Sequence, residues 1–142
     1  METDWIILAD AAEVVNNKLY LIGGGWEALT IDSGFPVQHP CAVAVSFKVP
    51  WNETNQQHNI EIEIADQDGK PLVAINGQVE VGRPPGIPLG QAQTVRMAVA
   101  LALHLEHPGT YVIVSRIEGQ ESRRIQFYVV PGPLLKAQQL GA

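Results

Sequence analysis

Residues 41–49, CAVAVSFKV, decide the fold, because every second residue is apolar and falls on one face: Cys41, Val43, Val45, Phe47 and Val49. Residues 60–64, IEIEI, alternate isoleucine with glutamate, and residues 95–105, VRMAVALALHL, place a large apolar side chain at every second position. A period of two belongs to the β-strand, in which successive side chains point to opposite faces of a sheet. The sequence therefore predicts an all-β protein.

Shorter stretches extend the same pattern in both directions. They are residues 5–9, 19–22, 26–31, 73–81, 111–117 and 125–130. Two intervening segments favour tight turns: Asn16-Asn17, because asparagine tolerates a positive φ, and residues 118–122, which contain a glycine. Roughly eight to ten short strands separated by turns predict an antiparallel β-sandwich of the immunoglobulin-like type, with a closed barrel as the alternative.

The length of 142 residues corresponds to one domain. We expect residues 1–132 to form a single β-sandwich domain and residues 133–142 to form a C-terminal tail. Pro133 stands near the start of this tail, which favours a short helix there.

Composition and charge exclude several classes of partner. The net charge is −6 and the only adjacent basic pair is Arg123-Arg124, whereas nucleic-acid binding requires clustered lysine and arginine. No apolar run approaches the roughly 18 residues that a membrane-spanning helix needs. The acidic N-terminus, METD at residues 1–4, is unlike a signal peptide. We therefore predict a cytoplasmic protein that binds neither nucleic acid nor membranes.

Cysteine occurs once, at Cys41, which excludes an intramolecular disulfide and any zinc site built from several cysteines. Because Cys41 begins an apolar run, we expect a buried structural thiol.

One predicted sheet face carries alanine where a solvent-exposed face normally carries polar residues. This alanine face consists of Ala42, Ala44, Ala98, Ala100 and Ala102. Small apolar side chains leave a flat surface that another element should cover. A second copy of the chain is one such cover and makes the protein a homo-oligomer, whereas the C-terminal tail, with three leucines, is the other.

Loop placement in a sandwich predicts a second surface, because alternate loops meet at the same end. The loops 50–55, 82–86 and 119–122 are expected at one end, and the loops 66–69 and 107–109 at the other. The first group carries the candidate recognition residues Trp51, Asn52, Asn55, Arg83, Pro84 and Pro85. Such side chains on loops of a rigid scaffold often bind partners. The alternative interpretation makes Trp51 a lid on the core and pairs Arg83 with an acid.

Two patterns suggest ligand chemistry but lack the residues that it needs. Gly23-Gly24-Gly25 resembles a phosphate loop, yet neither a helix start nor a lysine follows it. Residues 66–69, DQDG, resemble the start of a calcium loop, but Gly77 stands where the last ligand of that loop should be. We interpret the first as a bulge and the second as a hairpin turn.

Candidate metal ligands and nucleophiles are scattered along the chain. The four histidines, His39, His58, His104 and His107, show no spacing that favours zinc. The possible nucleophiles, Ser33, Ser46, Ser115, Ser122 and Cys41, lie outside any G-x-S-x-G elbow. We therefore predict no metal site, no cofactor and no catalytic centre.

Four linked segments resemble a family of uncharacterised bacterial proteins of about this length. The segments are LADAAEVV at residues 8–15, KLYLIGGGW at 18–26, VPWNETN at 49–55 and VGRPPG at 81–86. This resemblance covers residues 8–130 and implies a bacterial cytoplasmic protein, without implying an activity or a catalytic residue. Residues 108–114 and 123–130 are also similar to the closing strands of immunoglobulin-like or fibronectin-like modules, which is an analogy of fold alone.

These observations predict a non-enzymatic structural or interaction protein that self-associates through the alanine face. The alternative is a monomeric recognition module that binds a peptide, protein or glycan through the loops 51–55 and 83–85. An enzyme whose site is assembled across loops is the third hypothesis.

Overall fold

The computed structural model describes residues 1–133, and residues 134–142 lie outside the described part of the chain. Within the described residues the chain forms nine strands and one short 3-10 helix, Trp51–Glu53. The strands are β1 (Glu2–Val15), β2 (Lys18–Gly24), β3 (Ala28–Ile31), β4 (Val37–Val49), β5 (Gln57–Asp66), β6 (Pro71–Glu80), β7 (Gln93–Leu105), β8 (Gly109–Ile117) and β9 (Gln120–Pro131). The described residues include no helix with the length and apolar character needed to cross a membrane.

The first sheet has four antiparallel strands in the order β2-β1-β4-β7. Strand β4 is central and pairs with β7 along its whole length, from Val37 opposite Leu105 to Val49 opposite Gln93. Strand β1 pairs with β4 only as far as Ala9, which lies opposite Ala42. The remainder of β1 pairs with β2 alone, so that these residues form a β-hairpin that leaves β4 at Ala9.

The second sheet has five strands in the order β3-β9-β8-β5-β6. Its neighbours are antiparallel except for the short β3, which runs parallel to β9. This sheet contains the alternating stretch of residues 60–64, whose isoleucines are buried while Glu61 and Glu63 remain half-buried on the opposite face.

Side chains from both sheets form one hydrophobic core. The four-stranded sheet contributes Leu8, Val43, Phe47 and Leu103, and the five-stranded sheet contributes Ile62, Ile64, Tyr111, Ile113 and Phe127, among others. The rings of Tyr111 and Phe127 stack with their centres 5.4 Å apart. Burial of each large apolar side chain stabilises the fold by about 1.5–3 kcal/mol, so this shared core holds the two sheets together.

A buried polar contact also connects the sheets. The hydroxyl oxygens of Thr3 in β1 and Ser115 in β8 lie 2.6 Å apart, and both residues are buried. The backbone N–H of Thr3 donates to the hydroxyl of Ser122 at 2.7 Å. The start of β1 is therefore fixed against strands β8 and β9.

The structure confirms the predicted all-β fold of paired strands, but the strands are not all short: β1, β4, β7 and β9 have 12 to 14 residues. The hairpin at Asn16-Asn17 is confirmed, since both residues have a positive φ, of 52° and 59°, between two paired strands. The expected buried thiol is also confirmed, because Cys41 is buried in the core. The predicted helix in the C-terminal tail falls on residues outside the described part, apart from Pro133.

Candidate functional site

The loop after β4 and the loop after β6 meet at one end of the two sheets. The guanidinium carbon of Arg83 lies 4.1 Å from the centre of the Trp51 ring, which is a cation–π contact. The same guanidinium donates to the carbonyl oxygen of Trp51 at 2.8 Å and to the hydroxyl of Thr54 at 2.6 Å. The predicted meeting of these loops is confirmed. The alternative interpretation paired Arg83 with an acid. Its partners are instead the ring and the carbonyl group of Trp51 and the hydroxyl group of Thr54.

The other candidate recognition residues surround this contact. Asn55 has a φ of 59°, and its backbone N–H donates to the carbonyl oxygen of Val81 at 2.7 Å, which fixes one loop against the other. Asn52, Asn55, Pro84 and Pro85 are all exposed. The six residues therefore form one ordered surface, and their role in recognition remains a prediction.

The loop between β6 and β7 continues beyond Pro85 with a strongly exposed side chain. Leu89 is 88% exposed at the second position of a turn, which is closed by a hydrogen bond from the N–H of Gln91 to the carbonyl oxygen of Pro88. An exposed leucine on a loop can provide an apolar anchor for a partner.

A cleft of about 270 Å³ opens at the same end of the molecule and is acidic. Its lining includes Glu53, Glu118 and Glu121. Glu53 binds the ammonium group of Met1, Glu118 accepts a backbone N–H, and Glu121 accepts a hydrogen bond from Arg124 at 2.6 Å. The hydrogen bond from Arg124 lowers the pKa of Glu121. Each of these carboxylates therefore has a donor within the chain.

A smaller cleft of about 120 Å³ lies at the opposite end, between the loops 66–69 and 107–109. The predicted meeting of these two loops is therefore confirmed. One carboxylate oxygen of Asp66 accepts the backbone N–H groups of Asp68 and Lys70, so the DQDG segment is a hairpin turn closed by its own aspartate. Among residues 1–133 no group of three or more histidine, cysteine, aspartate or glutamate side chains is arranged to hold a metal ion.

Most of the candidate nucleophiles are buried or bonded. The hydroxyl of Ser115 contacts Thr3, and that of Ser122 accepts the N–H of Thr3. Burial raises the pKa of Cys41 to about 11, with a smaller contribution from the nearby charge of Asp10. A thiol with this pKa stays protonated at neutral pH, whereas nucleophilic attack requires the thiolate.

The structure divides the alanine face into a buried part and an exposed part. Ala42 and Ala44 are 1% and 0% exposed, Ala98 is half-buried, and Ala100 and Ala102 are exposed. The alanine surface that remains available to a partner is therefore narrower than the sequence predicts.

The β1–β2 hairpin turns back over this face. In the sheet, Arg96 lies opposite Ser46, which in turn lies opposite Trp5 near the start of β1. Strand β1 leaves β4 at Ala9, and Asn17 follows eight residues later in the chain. Asn17 nevertheless donates to the carbonyl oxygen of Thr94 at 2.8 Å and accepts the N–H of Arg96 at 2.9 Å. A straight hairpin would carry Asn17 roughly 26 Å beyond Ala9, away from these groups.

The side chain of Arg96 shows which face the hairpin crosses. Arg96 alternates along β7 with the same phase as Ala98, Ala100 and Ala102, so its side chain projects from the alanine face. Its guanidinium donates to the backbone carbonyl oxygen of Asn17 at 3.0 Å. The hairpin therefore crosses the alanine face and reaches the edge of β7.

The hairpin itself presents a surface that the sequence analysis missed. Among the described residues, the hairpin carries four of the six exposed large hydrophobic side chains, namely Val15, Tyr20, Leu21 and Ile22. Tyr20 is 56% exposed and Ile22 is 72% exposed. One signal in the sequence could have indicated this surface. Residues 19–22, LYLI, are apolar on both faces of a strand, as in a central strand that is covered on both sides. The adjacent turn and glycines, however, indicate that β2 is not central.

Comparisons with known proteins identify a family but no activity. Residues 4–130 match the model of a family of unknown function, DUF6941. No curated protein matches the sequence. One similar solved structure is the Pseudomonas fluorescens alkylpurine DNA glycosylase AlkC bound to DNA containing an abasic site analog, with a TM-score of 0.42 and 10% sequence identity. The match covers 88% of this chain and 30% of the glycosylase chain, so the protein spans less than a third of that relative.

Proposed function

Because this chain belongs to the DUF6941 family, whose function is unknown, we propose its function from its own surface. The protein is a non-enzymatic interaction protein that self-associates through the hairpin surface, defined as Val15, Tyr20, Leu21 and Ile22 of strands β1 and β2. The observation that carries this proposal is the exposure of Tyr20 and Ile22 on an edge strand of the four-stranded sheet.

Burial of the hairpin surface supplies the driving force for association. Complete burial of a side chain such as Ile22 contributes about 1.5–3 kcal/mol, and Tyr20 adds an amphipathic ring of the kind that is enriched in interfaces. Grouped exposed hydrophobic side chains on a small domain commonly mark an interaction site, whereas isolated ones do not. The hairpin surface is grouped, because its members lie on two paired strands next to one turn.

The position of the hairpin supports this assignment over the alanine face. Ala42 and Ala44 are already buried within the chain, so they offer no surface to a second copy. The hairpin is fixed to β7 through Asn17, so its exposed side chains are presented on an ordered element. An ordered surface loses less conformational entropy on binding than a mobile one.

Light scattering coupled to size-exclusion chromatography, over a dilution series, tests the proposal. The wild-type protein should have a mass above 15.4 kDa at high concentration and approach that mass on dilution. Ile22→Lys should remain monomeric at every concentration, because a charge on this surface would be buried in the interface. Gln78→Lys, on an exposed position of the other sheet, is the matched control and should behave as wild type.

A wild-type protein that stays monomeric at the highest concentration contradicts the proposal. That result favours the second candidate function, in which a monomer binds a partner through the loops around Trp51 and Arg83. The observation in favour of this second candidate is the fixed Trp51–Arg83 contact beside the 88% exposed Leu89. The partner is then a peptide, protein or glycan that contacts an aromatic and an apolar side chain.

We also propose that the two sheets form a sandwich of the immunoglobulin-like type in a bacterial cytoplasmic protein. The single core shared by both sheets supports the sandwich. The buried, protonated thiol of Cys41 and the scarcity of cysteine support a cytoplasmic location. The resemblance of residues 8–130 to bacterial proteins supports the source.

A further inference from the structure

We infer that two copies of this chain join by antiparallel pairing of β2 with β2, with Leu21 opposite Leu21 of the second copy. This inference rests on the proposed self-association and adds its geometry. It assigns the partner as a second copy and the contact as a shared sheet edge.

Strand β2 has one edge that no strand of residues 1–133 occupies. It pairs with β1 on one side and lies at the end of the four-stranded sheet. An unpaired edge presents a row of N–H and C=O groups that can pair with another strand. Seven residues form this edge, and Lys18 is the only charged one.

The other strands at the sheet edges are each less suited to pairing. Asn17 occupies the edge of β7, where it bonds to the N–H of Arg96 and the carbonyl oxygen of Thr94. Strand β3 has only four residues. Strand β6 begins with Pro71, which has no N–H group to donate to a neighbouring strand.

The sequence of β2 is complementary to itself in one antiparallel register. When Leu21 lies opposite Leu21 of the second copy, Tyr20, Leu21 and Ile22 form the centre of the ladder, and Gly23, whose φ is positive, interrupts it toward each end. Tyr20 then lies opposite Ile22, an aromatic and β-branched pair of the kind that stabilises antiparallel sheets. Lys18 lies opposite Gly24, so the two ammonium groups are at opposite ends of the contact and do not repel each other at short range.

The glycines make room for the larger side chains of the second copy. In this register Leu19 lies opposite Gly23, and the stem of Lys18 lies opposite Gly24. Neither glycine carries a side chain on the face that its partner uses. Gly23 also has a φ of 59°, and a Cβ there would meet the carboxylate of Asp10, so glycine is required at this position for the hairpin itself.

The resulting dimer is symmetric and joins two four-stranded sheets into one sheet of eight strands. The same strand of each copy contacts the other, which is the isologous arrangement of a two-fold dimer. The pairing also places Tyr20 of each copy against Ile22 of the other, so it covers part of the two side chains whose exposure supports the proposed function.

Disulfide trapping tests the register. Leu21→Cys in a Cys41→Ala background should form a covalent dimer on mild oxidation, because opposite residues in an antiparallel pair have Cα atoms roughly 4.5–5.5 Å apart, within the range of a disulfide. Lys18→Cys in the same background is the matched control. Two Lys18 residues lie roughly 20 Å apart in this register, so we expect at least about tenfold less covalent dimer.

The outcomes separate the register from the self-association. Efficient trapping of Leu21→Cys with little trapping of Lys18→Cys supports the inference. Equal or inverted trapping, in variants whose mass still shows a dimer, overturns the register and leaves self-association in place. A monomeric mass for the wild-type protein at every concentration overturns the proposed function and the inference with it.

Discussion

Strands β2 and β4 belong to the same sheet and are both rich in apolar residues, but their exposure is opposite. In β4 every residue from Cys41 to Phe47 is buried, although alternate side chains point to opposite faces. In β2 only Leu19 is half-buried, and the other six residues are exposed. A strand that is apolar on both faces can therefore be buried or exposed, depending on which elements of the fold cover those faces.

The physical difference lies in what covers each face. One face of β4 contacts the five-stranded sheet in the core, and the other carries small residues over which the β1–β2 hairpin passes. Small side chains permit the close approach of a second layer. Strand β2 belongs to that second layer, and the large side chains Tyr20 and Ile22 remain exposed on it. Strand β4 is therefore a structural strand, and the exposed side chains of β2 support the proposal that it is an interaction strand.

The largest expected effect comes from a charge at a buried alanine of β4. Ala44→Asp should destabilise the protein by about 4 kcal/mol or more, because an unpaired carboxylate would be buried at a position that is 0% exposed. Ala100→Asp places the same group at an exposed position of the same face and should change stability by less than about 0.5 kcal/mol. Urea denaturation measures both. Equal losses in the two variants would contradict the division of the alanine face.

A smaller effect should appear in alkaline solution through Cys41, also on β4. Burial raises the pKa of this thiol from 9.0 to about 11, so the unfolded state loses the proton at a lower pH than the folded state. The free energy of unfolding should therefore fall between pH 9 and 11, by about 2–3 kcal/mol from this group. Below pH 9 the thiol is protonated in both states and contributes no pH dependence.

Cys41→Ala provides the control for this pH dependence. Burial also raises the pKa of Tyr111, so both proteins should lose stability at high pH. The slope from pH 9 to 11 should be shallower in Cys41→Ala, and the difference between the two slopes isolates the thiol. Identical slopes would show that the pKa of Cys41 is not raised by burial in β4.

The sequence predicted the paired strands because their alternation is local. Residues 60–64 alternate within five positions, and the turn at Asn16-Asn17 depends on two adjacent residues that tolerate a positive φ. The meeting of Trp51 with Arg83 was also predictable, since it follows from strand order. The atoms that hold Arg83 were not, because the carbonyl and hydroxyl groups that it contacts depend on the conformation of a loop.

The path of the hairpin was beyond the reach of sequence patterns. Its contacts join Asn17 to Thr94 and Arg96, residues that are far apart in the chain and carry no shared motif. Alternation assigned Ala42 and Ala44 to an outer face correctly, but it contains no information on which element returns over that face. The apolar residues 19–22 were a signal in the sequence, but the position of β2 at the sheet edge was needed to establish that they are exposed.

The smallest effect concerns the contact that holds the hairpin across β4 and β7. Asn17→Gly keeps a residue that adopts a positive φ and removes the side chain that bonds Thr94 and Arg96. We expect a loss of about 1 kcal/mol, since these hydrogen bonds are exposed to solvent. Asn16→Gly is a matched control, because Asn16 has a similar φ of 52° and its side chain makes neither bond. Hydrogen exchange at the Arg96 amide should become faster in Asn17→Gly alone, because that amide loses its acceptor. If the two variants exchange at the same rate, Asn17 does not fix the hairpin, and the ordered presentation of Tyr20 and Ile22 must depend on other contacts.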